Sequence, residues 1–200
     1  MDPVDLPGTM RFIARSVRGE LELTRGNVRT AALIQRVSLR YAGNWRSILG
    51  SGSQWELYIL SMCLVTDVEL SPDDAVELDA GAIRARATSL LREILSDPAP
   101  RQRDIPTLMA FAAAVGLSAV AAEDAGPDRR AVGAELVATA LAVGTNQTCR
   151  LLSHDYLRSR TERLDALALA QAEERIRSLD RGGLVVHAAD LAGRLAGEVG

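Results

Sequence analysis

Apolar residues recur at intervals of three and four along almost the whole chain, and turn signals separate stretches of helical length. Gly8-Thr9 opens a predicted first helix running to about Arg25, and Gly26-Asn27 either breaks it or caps a second helix near 28–49. Gly50-Ser51-Gly52-Ser53 reads as a joint, and Ser53 and Glu56 have the spacing of a capping box. The helix that follows, 54–66, is apolar on nearly every face, which predicts a buried central position. Ser71-Pro72-Asp73-Asp74 is a helix start by three criteria: a hydroxyl N-cap, proline at N1 and acids in the first turn. That helix is expected to end near Ser96. Asp104 opens an alanine-rich helix over 105–122, and Ala125-Gly126-Pro127-Asp128 turns into another over about 128–150. Small residues on both (Ala112, Gly116, Ala119; Gly133, Ala134, Ala138) predict close antiparallel packing. A charged helix over 153–181 follows, with Leu157, Leu164, Ala168, Ala172 and Leu179 inward and a Glu173–Arg177 pair. Gly182-Gly183 stops it, and a last helix covers 184–197. The expected architecture is all-α: a compact single-domain bundle spanning 1–200, with about seven helices around a buried central helical hairpin.

Composition narrows the picture. With 48% hydrophobic but only 4% aromatic residues, a chain of 200 residues must build its core mainly from Leu, Ala and Val. Segment 105–122 holds 18 uncharged positions, about 27 Å as a helix. Its alanine content and Pro106, Gly116 and Ser118 favour a core helix over a membrane span. The N-terminus lacks the basic start and apolar run of a secretory signal. Cys63 and Cys149 show no paired spacing, so buried thiols in a reducing, cytoplasmic setting are expected.

All 23 basic residues are arginine, for which a GC-rich coding sequence is sufficient explanation. A net charge of −3 argues against a dedicated nucleic-acid binder. The charge is unevenly spread. Residues 1–50 carry eight arginines against four acids, and residues 51–100 carry three against nine. This predicts that the two quarters lie near each other in the fold. Seven of those arginines (Arg11, Arg15, Arg18, Arg25, Arg29, Arg36 and Arg40) would fall within about 80° on a continuous helix. Such a stripe suits an acidic patch, a partner protein or a phosphate backbone.

Arg150, His154 and Tyr156 form the most suggestive local chemical set (CRLLSHDYL). On one helix Arg150 and His154 would share a face, an arrangement that resembles the motif of HEPN ribonucleases. That resemblance implies an all-α, commonly dimeric enzyme in which histidine relays a proton and arginine stabilises charge developing on an RNA phosphate. Here only three residues separate the two, and Leu151 stands where the family often has a polar residue. Asp73-Asp74-Ala75-Val76-Glu77 resembles the Asp-rich element that holds magnesium in terpenoid synthases, but capping and solvation at a helix start account for the same acids. No second metal-binding helix is evident, so no metal or other cofactor is expected. His187, three residues before Asp190 among small apolar residues, reads as partly buried or paired, and Trp45 and Trp55 as core anchors or pocket walls. The sequence therefore points first to a non-enzymatic helical protein–protein interaction or adaptor domain, with a protein partner or a homo-oligomer and no membrane partner. The arginine stripe and the acidic segment 67–79 are its candidate surfaces. Its alternatives are a HEPN-like RNA-cleaving enzyme centred on Arg150, His154 and Tyr156, or a nucleic-acid-binding or regulatory module using the stripe.

Overall fold

The computed structural model describes residues 8–49, 54–96, 105–145 and 149–197, the side chains of 8–13 and 41–49 excepted. Every regular element among the described residues is helical. The order is α1 (Gly8–Thr24), α2 (Val28–Leu49), α3 (Gln54–Asp67), α4 (Pro72–Glu77), α5 (Ala80–Leu95), α6 (Ile105–Ala121), α7 (Pro127–Val143), α8 (His154–Ile176) and α9 (Arg181–Gly197). A 3₁₀ turn at Arg150–Leu152 precedes α8. None of these helices is long and apolar enough to cross a membrane.

Gly26 resolves the first ambiguity. Its φ of 82° lies in the left-handed region, and the amides of Gly26 and Asn27 return to the carbonyls of Leu23 and Glu22 at 3.0 and 2.9 Å. The helix ends there, so the arginine stripe is cut into two shorter ones. α1 then packs back along α2, with Gly19 set against Gln35 so closely that a Cβ would overlap its amide.

The core is built on α3, α6 and α7, all apolar around most of their circumference. Every residue from Glu56 to Thr66 is buried except Tyr58, and so is every residue from Leu108 to Val120. Buried hydroxyls satisfy themselves within their own helices: Ser61 and Thr66 each donate to a carbonyl one turn back, at 2.7 Å. Among the described residues α6 and α7 make the most extensive contact, as their small residues predict. At its centre, a Cβ on Gly116 would sit 2.6 Å from the Gly133 carbonyl oxygen, and one on Gly133 would sit 2.8 Å from that of Gly116.

Four boundaries differ from expectation, each for a local reason. The helix starting at Ser71 is capped as predicted, the Ser71 hydroxyl accepting from the Asp74 amide at 3.3 Å. It nevertheless stops after six residues, because Asp79 adopts a left-handed conformation (φ 53°) that Asp tolerates better than most residues. The Leu78 carbonyl beside this break is taken by Arg36 Nε of α2 at 2.8 Å. α7 ends at Val143, where Gly144 has a φ of 111°. α8 is bent at Asp165, whose φ and ψ of −158° and 83° interrupt the helix. The bend leaves Leu164 44% exposed instead of inward; Leu179, also expected inside, lies beyond the end of α8 and is exposed. It also redirects Glu173 to Arg158, while Arg177 pairs with Glu174 at 2.6 Å. Gly182 and Gly183 do not stop a helix but open α9, with the Asp180 carboxylate accepting the Gly183 amide at 2.7 Å. Ser53 and Asp104, expected as N-caps, lie outside the described residues.

Candidate functional site

The basic first quarter and the acidic second quarter meet. Arg36 lies along the side of α2 that faces α3, and its guanidinium grips Asp67 with both terminal nitrogens at 2.8 and 3.1 Å. Both side chains are nearly buried, so each requires the other. Burial pushes the Asp67 carboxyl above its ordinary value, and Arg36 pulls it back. About two turns earlier on α2, Arg29 contacts Asp74 of α4 and takes both oxygens of Glu77 at 2.5 and 2.9 Å. The hydroxyl of Ser71 and Arg29 together hold the Asp74 carboxyl below its usual range, and Arg29 does the same for Glu77. From α8, Arg160 reaches Glu69. Four of the six acids in 67–79 are thus occupied by arginines. Asp73 and Asp79 are exposed, and among the described residues no group of three or more His, Cys, Asp or Glu is placed to hold a metal ion.

The other arginines of the stripe divide. Arg11 belongs to α1, but its side chain lies outside the described ones. Arg15 is half-buried. Arg18 is exposed, and Arg25 sits in the turn and pairs with Glu22 at 3.2 Å. Arg40 is exposed on the outward face of α2. Leu33 and Val37 share that face, 46% and 39% exposed. Arg29, Leu33, Val37 and Arg40 follow one another at steps of four, four and three residues, so they form a single ridge. Two aliphatic side chains here stand in water between two arginines. Sequence periodicity names these positions, but only the packing of α1 and α3 on the other sides of α2 shows which ridge is left uncovered.

Arg150, His154 and Tyr156 are brought to one junction without sharing a helix. Arg150 is exposed in the 3₁₀ turn, and Ser153, extended at φ −67° and ψ 153°, separates it from α8. Ser153 caps α8 by accepting the Tyr156 amide at 3.4 Å, and its hydroxyl donates to the Arg150 carbonyl at 2.7 Å. His154 is the first residue of α8, with Nδ1 3.8 Å from the Asp155 carboxylate. Tyr156 is half-buried, its hydroxyl pushed up by burial, with Arg160 over its ring at 6.0 Å from the centroid. The pairing of Arg150 with His154 on one helix face, on which the ribonuclease resemblance rests, is therefore replaced by a capped joint. Beneath it, the Cys149 thiol is pushed up to about 11 by burial and by Glu20, leaving it almost wholly protonated at neutral pH. Cys63 is buried as well.

Two features escape sequence reasoning. A cavity of about 440 Å³ lies between the ends of α3 and α6 and the start of α5; Asp67, Asp79, Arg84, Ser118 and Asp124 line it. Arg84 stands 3.6 Å from Asp124 across its mouth. The second is a buried carboxylate, Glu135 of α7, which accepts from Arg175 of α8 at 2.7 Å and lies 2.8 Å from His187 Nε2 of α9. His187 is indeed paired, but with a residue 52 positions away rather than with Asp190. This cluster clamps three helices at one level of the bundle. Trp55 is 39% exposed, and the Trp45 side chain lies outside the described ones.

Compared with protein-family models, curated proteins and solved structures, the chain matches none of them.

Proposed function

We propose that this chain is a non-enzymatic, cytoplasmic helical domain that acts through protein–protein contact, and that the outward ridge of α2 is its contact surface. The observation that carries this reading is the exposure of Leu33 and Val37 between Arg29 and Arg40, on a stretch of α2 whose opposite side is buried at Ala31, Ala32, Gln35, Ser38 and Leu39. Aliphatic side chains flanked by arginine suit the apolar face of an amphipathic helix whose rim is acidic. Arg29 already shows the preference, since it holds the two carboxylates of α4. Within the stripe, Arg29 and Arg36 are engaged by the molecule's own acids, whereas Arg18 and Arg40 are exposed. The two cysteines, both unpaired, suit a reducing compartment.

The test places a photo-crosslinking amino acid at position 33, at 37 and, as a control, at the exposed Glu93 of α5. Positions 33 and 37 are expected to yield the same discrete adduct in cells, and a V37E substitution is expected to remove the adduct formed from 33. Both residues are already in water, so V37E leaves the fold intact. Identical adducts from 33 and 93, or none from either ridge position, would overturn the reading.

A further inference from the structure

α8 is two helical arms joined at Asp165, a joint that its sequence marks only by one residue suited to an N-cap. Residues 154–176 contain neither glycine nor proline and are rich in Leu, Ala, Glu and Arg, all strong helix formers. Yet the helix turns sharply at Asp165. Arg158 and Glu173, fifteen positions apart, are in contact. On a straight helix that separation is about 22 Å, beyond the combined reach of the two side chains. The arms must therefore fold back toward one another.

Two local devices act at the corner itself. The Asp165 carboxylate accepts the Ala168 amide at 2.9 Å and so acts as an N-cap for the second arm. The Arg158–Glu173 clasp is substantially exposed and correspondingly weak. Against these devices stand the backbone hydrogen bonds forfeited at the bend and two leucines turned into water, Leu164 at 44% and Leu167 at 69% exposure. What the bend achieves is tertiary. It returns the second arm and α9 onto the chain's own α7, where Leu169, Ala172, Ile176, Leu184, Ala188 and Leu191 are buried and Glu135 receives Arg175 and His187.

We infer that two copies of this chain exchange residues 166–197 by straightening α8 at Asp165. Each C-terminal unit then docks on the α7 of the other copy. The contacts that the second arm and α9 make with the rest of the closed form are remade between chains, because the receiving surface is identical, and only the corner at Asp165 with its cap is lost. The new feature is a pair of continuous α8 helices that can cross about a two-fold axis at residues 164–167, covering the leucines that the bend exposes. The occupant of that apolar corner is therefore a second copy. This exchange does not involve the α2 ridge, so the two proposals stand or fall separately.

Light scattering after size-exclusion chromatography of the purified full chain, from low to high micromolar concentration, tests this. Asp165→Ala removes the cap from each of two corners. A loss of roughly tenfold per corner should raise the association constant by on the order of a hundredfold. Ala166→Pro acts the other way: proline suits the first position of the second arm and keeps residue 165 out of the helical region. In a continuous helix it would lower the population by roughly a hundredfold per chain. This variant is expected to stay monomeric, with unchanged thermal unfolding. Should it fail to fold, a short bis-maleimide bridge between Arg158→Cys and Glu173→Cys locks the same bend and should give the same result, both native thiols being buried. A dimer that survives either lock undiminished is an association of closed monomers and overturns the exchange. So does an Asp165→Ala variant that is monomeric at every concentration.

Discussion

The contact of α6 with α7 and the contact of α2 with α3 and α4 join helices by opposite means. In the first, two glycines bring backbones together and the buried surface between them is almost wholly aliphatic. In the second, guanidinium and carboxylate groups span the gap, partly shielded at Arg36–Asp67 and openly at Arg29 with Asp74 and Glu77. The first kind of contact tolerates no added atom, because what stands opposite is backbone that cannot move aside. The second tolerates change in proportion to its exposure to water, which supplies a substitute for any lost partner. Backbone-to-backbone packing is thus concentrated at one contact, while of the ion pairs on the α2 side solvent can replace the open ones at Arg29 but not the shielded one at Arg36.

Gly116→Val sharpens this contrast most. Its Cβ would press on the Gly133 carbonyl, so equilibrium denaturation is expected to show a loss of more than about 4 kcal/mol, or no folded protein at all. A loss under about 1 kcal/mol would mean that the helices can part, and the distinction between the two contacts would dissolve. Next in size is Arg36→Met, which leaves Asp67 buried without its countercharge and is expected to cost about 3 kcal/mol. Adding Asp67→Leu should restore most of that. If the double variant is no better than the single, the pair contributes by shape rather than by charge. The smallest effect belongs to Arg29→Gln, nearly silent in stability at neutral pH because the ion pairs are open to water. Its signature lies in the pH profile. Asp74 and Glu77 have ordinary values of 3.8 and 4.5 and are held lower in the fold. Their contribution is therefore fully present above those values and is lost as pH falls through the lowered folded ones. Arg29→Gln should make the acid limb of the stability curve shallower, and an unchanged limb would show that Arg29 does not set those two carboxylates.

Much of this was legible beforehand in particular residues. Ser71-Pro72-Asp73-Asp74 starts a helix as read, Gly126-Pro127 starts another, and the apolar runs in 54–66 and 105–122 are central. The meeting of the basic and acidic quarters also follows from their opposite charge. The breaks inside helices were not legible. Nothing in residues 71–96 distinguishes Asp79 from the acids that precede it, and its left-handed backbone is accompanied by a bond from Arg36 to the neighbouring Leu78 carbonyl, 42 positions away. The glycine pair 182–183 reads as a stop until Asp180 is seen to cap it.

By itself the sequence determined that the chain is helical, where its strongest caps lie and which stretches avoid water, because capping and hydrophobic periodicity act over three or four residues. Tertiary structure alone decided which arginines turn inward, which ridge of α2 stays bare, that Glu135 rather than Asp190 receives His187, and that α8 bends at Asp165. Each of these depends on partners dozens of residues away. A local pattern carries no information about such partners until the chain has closed on itself and burial has made an unpaired charge or an uncovered apolar face costly.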